Sequence, residues 1–196
     1  MRYFQLECLG DQGKAKEYVC ISREPNGMGL KSYLLGTGES LAAFYPKAAE
    51  VHLKNAEPGT VLTDYLSNTL WCFIANSRTR EVVETVCGND GVEYFPFILF
   101  DQLGNKLSDD YCFIHPVLVC EAVDRANSDI SYEDDDPEGE ILSVDEYVFD
   151  RQRIENLPPL FRVPEYSYDI FMNEVLARAL FEAKISNLYV HEVKVN

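Results

Sequence analysis

The side chains with chemistry to offer are three histidines, six cysteines and one dense run of carboxylates. His52, His115 and His191 lie far apart, and none belongs to an H-E-x-x-H signature. His115 precedes Pro116 in an apolar stretch, which suits a half-buried structural residue. His191, between Val190 and Glu192, suits the solvent face of a strand, and His52 follows Val51 in a stretch without clear pattern. The cysteines stand at 8, 20, 72, 87, 112 and 120, with no C-x-x-C pair to signal zinc or redox work. Runs such as Trp71-Cys72-Phe73 read as sites of buried free thiols in a reducing cytosol. No G-x-S-x-G nucleophile elbow is present. Gly36-Thr37-Gly38 lacks the third glycine and the strand-to-helix context of a phosphate cradle. A Cys–His pair assembled in space stays open, without local spacing to support it.

The carboxylates are the outlying feature. The chain of 196 residues carries 33 Asp and Glu against 17 Lys and Arg, a formal net charge of −16. Residues 121–150 hold twelve of the acids and a single base, Arg125. Ser131–Gly139 cannot bury itself and reads as an exposed loop, with Pro137 and Gly139 as breakers. Asp129, Ser131, Glu133, Asp135 and Glu140 do fall on the ligand positions of a calcium-binding helix–loop–helix. However, Asp134 occupies the place that requires glycine, and the flanks read as strand. Uniformly exposed carboxylates also make poor general acid–base pairs, which need two different environments. Such a field repels phosphate and anionic lipid, so nucleic acid and membrane surfaces are disfavoured as ligands. It attracts a basic protein.

The remaining sequence supplies elements to carry that field. Hydrophobic content of 46% with twelve Tyr and eleven Phe is enough for an ordinary globular core. Arg2–Leu9 and Tyr18–Ile21 read as strands, and Pro25–Gly29 as a turn. Asn76 can cap a helix with Val82, Val83 and Val86 on one face, stopped by Gly88. Asn89-Asp90-Gly91 turns into Val92–Phe100, a buried strand in which Pro96 implies an edge or a bulge. Tyr111–Val123 reads as the next strand. Near the C-terminus, Asn173 caps a helix over 174–184, Asn187 suits a left-handed exit, and Leu188–Val195 reads as a last strand. The grammar of strand, Asn cap, helix and strand thus occurs twice, either as a distant repeat or as two uses of a common unit. No apolar run approaches the length of a membrane span, and the opening residues do not form a signal peptide.

Several short motifs in order resemble a known family. They are Leu62-Thr63-Asp64-Tyr65 with Ser67, Phe73-Ile74-Ala75-Asn76-Ser77, Tyr94-Phe95-Pro96, and Tyr111-Cys112-Phe113-Ile114-His115-Pro116. Val123-Asp124-Arg125 with Ser128, Leu160-Phe161-Arg162-Val163 and Ile170-Phe171-Met172-Asn173-Glu174 follow. Together, over about residues 60–195, they resemble the bacterial polymorphic-toxin immunity proteins of the Myxococcus-type family, once a domain of unknown function. Asn173 stands where a Ser is usual, and Asn187 where a Gly is usual; both keep capping or left-handed capacity. The resemblance implies a non-catalytic protein that binds a cognate toxin made by the same or a neighbouring cell, with no catalytic residues to carry over.

The expectation is therefore an α+β fold, with antiparallel or mixed sheets and two principal helices. It spans residues 1–196 as a single domain that admits two related lobes, 1–105 and 106–196. The expected function is neutralisation of a cationic, nuclease-type toxin in the cytoplasm, without cofactor or metal. The expected contact residues are Glu133, Asp134, Asp135, Asp136, Glu138 and Glu140, with Tyr132 as an aromatic anchor. The alternatives are a small enzyme with a spatially assembled site, or an adaptor without a toxin.

Overall fold

The structure is a computed structural model that describes residues 1–8, 17–54, 59–88, 90–136 and 139–196. Leu9, Asn89, Pro137 and Glu138, which figured in the sequence reading, lie outside the described residues, as does the side chain of Cys8. The architecture is α+β. In chain order the strands are β1 (Tyr3–Cys8), β2 (Cys20–Ile21), β3 (Glu50–His52), β4 (Ser67–Asn68) and β5 (Phe73–Asn76). Helix α1 (Ser77–Cys87) leads to β6 (Val92–Phe100), β7 (Lys106–Pro116), β8 (Asp129–Tyr132), β9 (Ile141–Glu146), β10 (Val148–Phe149) and β11 (Leu160–Phe161). The chain closes with β12 (Ile170–Asn173), α2 (Glu174–Glu182) and β13 (Leu188–Val195).

Two larger sheets are built on one plan. In the first, β5 and β6 flank β7, which runs antiparallel to both; in the second, β12 and β13 flank β1 in the same way. In each case the outer strands are joined by a helix whose N-cap is an asparagine at the end of the first strand. The match extends to register. Asn76 opposes Tyr111 in one sheet, and Asn173 opposes Tyr3 in the other. The central strand comes after the helical unit in the first sheet and from the N-terminus in the second.

Both caps follow from side-chain chemistry. Asn76 Oδ1 accepts from Thr79 N at 3.1 Å, and Asn173 Oδ1 accepts from Val175 N at 3.0 Å and Leu176 N at 3.1 Å. Each bond satisfies an otherwise orphaned helical N–H. Asn76 also donates from Nδ2 to Asp64 at 2.9 Å. Asn76→Ala and Asn173→Ala are each expected to cost about 1 kcal/mol of stability, the former more, because Asp64 loses a donor. Denaturant unfolding of the two variants checks the size and the order.

Alternation along the strands fills three cores. Tyr111 and Phe113 of β7 face a core closed by Leu34, Leu35, Leu41 and Val51, while Cys112 and Ile114 face the other way. The central core takes Leu6 from β1, Ile170 and Met172 from β12, and Leu176 and Leu180 from α2. The two helices pack against each other in this layer. Tyr3, Phe149, Phe161 and Phe171 form a third core on the far face of the second sheet. Both large sheets therefore bury both faces, which explains the near-continuous apolar runs of β5, β7 and β12.

Several expectations shift. Tyr111–Val123 is not one strand: β7 runs Lys106–Pro116, and beyond Pro116 only Val119 and Val123 make isolated bridges. The polar start of β7 was hidden because residues 106–110 are largely exposed. Pro96 sits where β6 is still an edge, since β3 joins only from Ile98, and the ladder shifts register between Phe97 and Leu99. Asn187 does adopt φ 62°, and Gly27 and Gly29 take positive φ in the expected turn.

Candidate functional site

The acidic segment is a hairpin in which Ser131 and Tyr132, expected as loop, are strand, while the described residues 133–136 and 139–140 are the loop at its tip. β8 and β9 pair antiparallel, with Ile130 opposite Val144 and Tyr132 opposite Ile141, so Ser131 and Tyr132 belong to the ladder. Ile130, Tyr132, Ile141 and Val144 are half-buried, while Asp129, Asp145 and Glu146 are exposed. Backbone pairing lets an acidic strand form, because the alternating apolar positions hide behind one face. Glu133–Asp135 makes one tight turn at the tip, with Asp134 at φ 55°. Glu133 N donates to Glu140 O at 2.8 Å and Gly139 N to Asp136 O at 2.7 Å, which closes the tip. Glu133, Asp134, Asp136 and Glu140 are exposed, and Tyr132 is half-buried. Asp135 shares their turn.

The hairpin is anchored at its base. Ser128 Oγ accepts from Val148 N at 3.0 Å, and Asp124 N donates to Val148 O at 2.8 Å. Hydrogen bonds from Asn127 and Asn196 hold the Asp124 carboxyl below the usual range, which keeps it a charged clasp. Asp129 and Ser131 lie in a strand, not in the loop of a helix–loop–helix. Among the described residues no group of three or more His, Cys, Asp or Glu side chains is placed to hold a metal ion.

The histidines are dispersed. His191 lies 3.1 Å from Glu7 on the surface, and His52 stacks on Phe100 at 4.7 Å between ring centres. His115 is only 2% exposed, and its Nε2 donates to Glu39 O at 2.8 Å. Burial pushes its pKa down to about 4, with nearby Arg162 helping and Glu93 opposing. The sign follows from linkage. The unfolded imidazole takes up a proton near its ordinary value of 6.5, while the folded one resists until about 4. Stability from this site is complete above the unfolded pKa and falls as pH drops through that window. The loss is expected to reach about 2 kcal/mol between pH 6.5 and 5. His115→Gln keeps a donor for Glu39 and should flatten that part of the pH profile, as read by urea unfolding at each pH.

Cys72 and Cys112 are buried and free, and burial pushes both up to about 12. They stay protonated at neutral pH and are not nucleophiles. Cys87 and Cys120 are free thiols and half-buried, and Cys20 is half-buried as well.

The residue that the sequence reading passed over is Arg162, 1% exposed between the two sheets. Its guanidinium donates to five carbonyls: Pro116 at 3.2 Å, Gly36 at 3.4 Å, Leu35 at 3.3 Å, Ser167 at 2.6 Å and Tyr168 at 3.1 Å. Burial lowers its pKa to about 10, so it remains a cation at neutral pH. A second tie is Asp64, whose carboxylate accepts from Ser186 N at 2.9 Å and Ser186 Oγ at 2.7 Å. Burial opposes its ionisation, but the Ser186 and Asn76 hydrogen bonds and Arg78 outweigh it and depress the pKa.

The order of Asp64, Asn76, Arg162 and Asn173 along the chain is thus a set of structural ties rather than a catalytic set. A family model described as an immunity protein family (Imm11) matches residues 2–195. The chain belongs to the Imm11 immunity protein family. The match covers the first sixty residues as well, which the motif order alone had not reached. Comparison with curated proteins finds no match. For an Imm11 chain, binding and neutralising a toxin is the function that the family suggests. Among the described residues, no helix is long and apolar enough to cross a membrane.

Proposed function

We propose that this Imm11 protein neutralises a cationic, nuclease-type toxin by covering the toxin's phosphate-binding surface with the acidic hairpin, in the cytoplasm and without catalysis of its own. The observation that carries this reading is charge placement. Residues 126–146 hold nine carboxylates and no Lys or Arg, and among the described residues β8 and β9 within that span form a two-stranded sheet of their own, with Glu146 paired to Lys194 at its base. Packing such charge together costs stability through self-repulsion, and a cationic partner offsets that cost on binding. A nuclease must present lysine and arginine to hold phosphate, so an acidic inhibitor is steered to the surface it must block. The contact residues are Glu133, Asp134, Asp135, Asp136, Glu138 and Glu140, with Tyr132 at the edge of the turn.

Co-expression tests the reading. Cells producing the toxin encoded beside this chain should grow when the wild-type protein is present. They should die when the six acids are replaced together by their amides. Full rescue by the amide variant would remove the hairpin from the interface.

A further inference from the structure

The sole tryptophan of the chain is displayed rather than buried. Trp71 is 62% exposed and adopts φ 57°, a backbone conformation that bulky residues seldom take. The conformation is enforced by Asn68. Its Oδ1 accepts from Leu70 N and Cys72 N, each at 3.1 Å, and its Nδ2 donates to Leu66 O at 3.2 Å and Cys72 O at 2.9 Å. The turn is pinned from inside while the indole is left in solvent. Outliers of this kind persist where the surrounding structure over-determines them, and they cluster at functional sites.

Beside Trp71 lies a cleft of about 420 Å³. Leu6, Ile170 and Tyr168 give it apolar walls, and Glu7 and Asp169 give it carboxylates. Among the described residues, no Lys or Arg lines it. Tyr168 is held by close approach to Gly36, where an added Cβ would meet the ring at 2.3 Å. Asp169 accepts from Tyr147 Oη at 2.6 Å, which fixes the carboxylate in place. Gln5 and Glu7 also line a second groove with Asp145, Glu146 and Glu192, of which Glu146 is paired with Lys194 and Glu192 with Arg2. Asp145 and Glu146 belong to β9, so this second groove borders the hairpin.

We propose that this cleft is the anchoring pocket for an arginine on a protruding loop of the toxin, with the guanidinium against Trp71 and directed to Glu7 and Asp169. The chemistry of the walls selects that occupant. An aromatic face attracts a cation, and a guanidinium stacks on it better than an ammonium does. Among the described residues Glu7 meets His191 at 3.1 Å but no lysine or arginine lines the cleft, which leaves a place for a partner's charge. Buried tryptophan and arginine contacts hold the largest shares of interface energy. The inference rests on the reading of this chain as the binder of a cationic toxin, and it locates the slow-dissociating part of that interface.

The test uses the full chain and the catalytically inactivated toxin encoded beside it. Trp71→Ala and the Glu7→Gln/Asp169→Asn pair are compared with wild type and with the six-amide hairpin variant. Trp71→Ala should weaken binding by about thirty-fold, through faster dissociation, without lowering the unfolding midpoint. Fluorotryptophan at the single tryptophan position should give one fluorine resonance that shifts when toxin is added. Wild-type affinity in Trp71→Ala, or an unmoved resonance, overturns the pocket while a weakened hairpin variant keeps the broader reading. Wild-type affinity in the hairpin variant as well, with no salt dependence, overturns both.

Discussion

Arg162→Met should lower the free energy of unfolding by about 3–5 kcal/mol, the largest single loss expected from any substitution in this chain. The guanidinium donates to carbonyls of residues 35, 36 and 116 on one side and 167 and 168 on the other. Methionine fills comparable volume but leaves several of those oxygens without a donor in a dry interior, at about 1–3 kcal/mol for each that finds no substitute. Relief from desolvating the cation offsets part of the total. Arg162→Lys keeps charge and three donors, yet cannot reach five carbonyls from one point, so it should recover less than half of the loss. A small domain has about 5–15 kcal/mol in all, so the methionine variant sits near the margin of folding. Denaturant midpoints for both variants decide the matter. A loss under about 1 kcal/mol in Arg162→Met would show that the carbonyls are satisfied without the guanidinium.

The second large effect is kinetic. Replacing Glu133, Asp134, Asp135, Asp136, Glu138 and Glu140 by amides removes six of the 33 acids while leaving the length and shape of the side chains. Long-range steering depends on net field, so the association rate with toxin should fall by about 10- to 1000-fold at low salt. Dissociation should change less, because solvent-exposed charges at a rim contribute more to encounter than to the bound state. Folding should be unharmed or improved, since self-repulsion in the hairpin falls.

How much of this was legible in the sequence depended on the range of the interactions. Asn76 and Asn173 declare themselves because an N-cap is a local event, complete within three residues. Asn187 is legible for the same reason. The strands β8 and β9 on either side of the expected loop went unread because charge masked the weak alternation of Ile130, Tyr132, Ile141 and Val144. The tight turns over Gly29–Gly36 escaped notice, since short helical pieces have little periodicity to show. Trp71 stood in an apolar run and was grouped with its buried neighbours. The side chain of Asn68 pins the turn that displays it, and no pattern rule encodes that. Arg162 is the opposite case, a charge with apolar neighbours on both sides whose carbonyl partners lie up to 127 residues away. Its one signal was the run Leu160-Phe161-Arg162-Val163, a cation set among residues that are all buried in the fold. The acidic candidates were visible as one exposed run, but the strands that carry its described residues were not.

The claim on which the rest depends is electrostatic recognition of a basic toxin. It is tested most directly by measuring the association rate of this chain with the inactivated toxin across a series of salt concentrations, for wild type and the six-amide variant side by side. The account predicts a steep fall with salt for wild type and a much shallower one for the variant, with the two converging at high salt. A wild-type rate indifferent to salt, or two parallel curves, would contradict it.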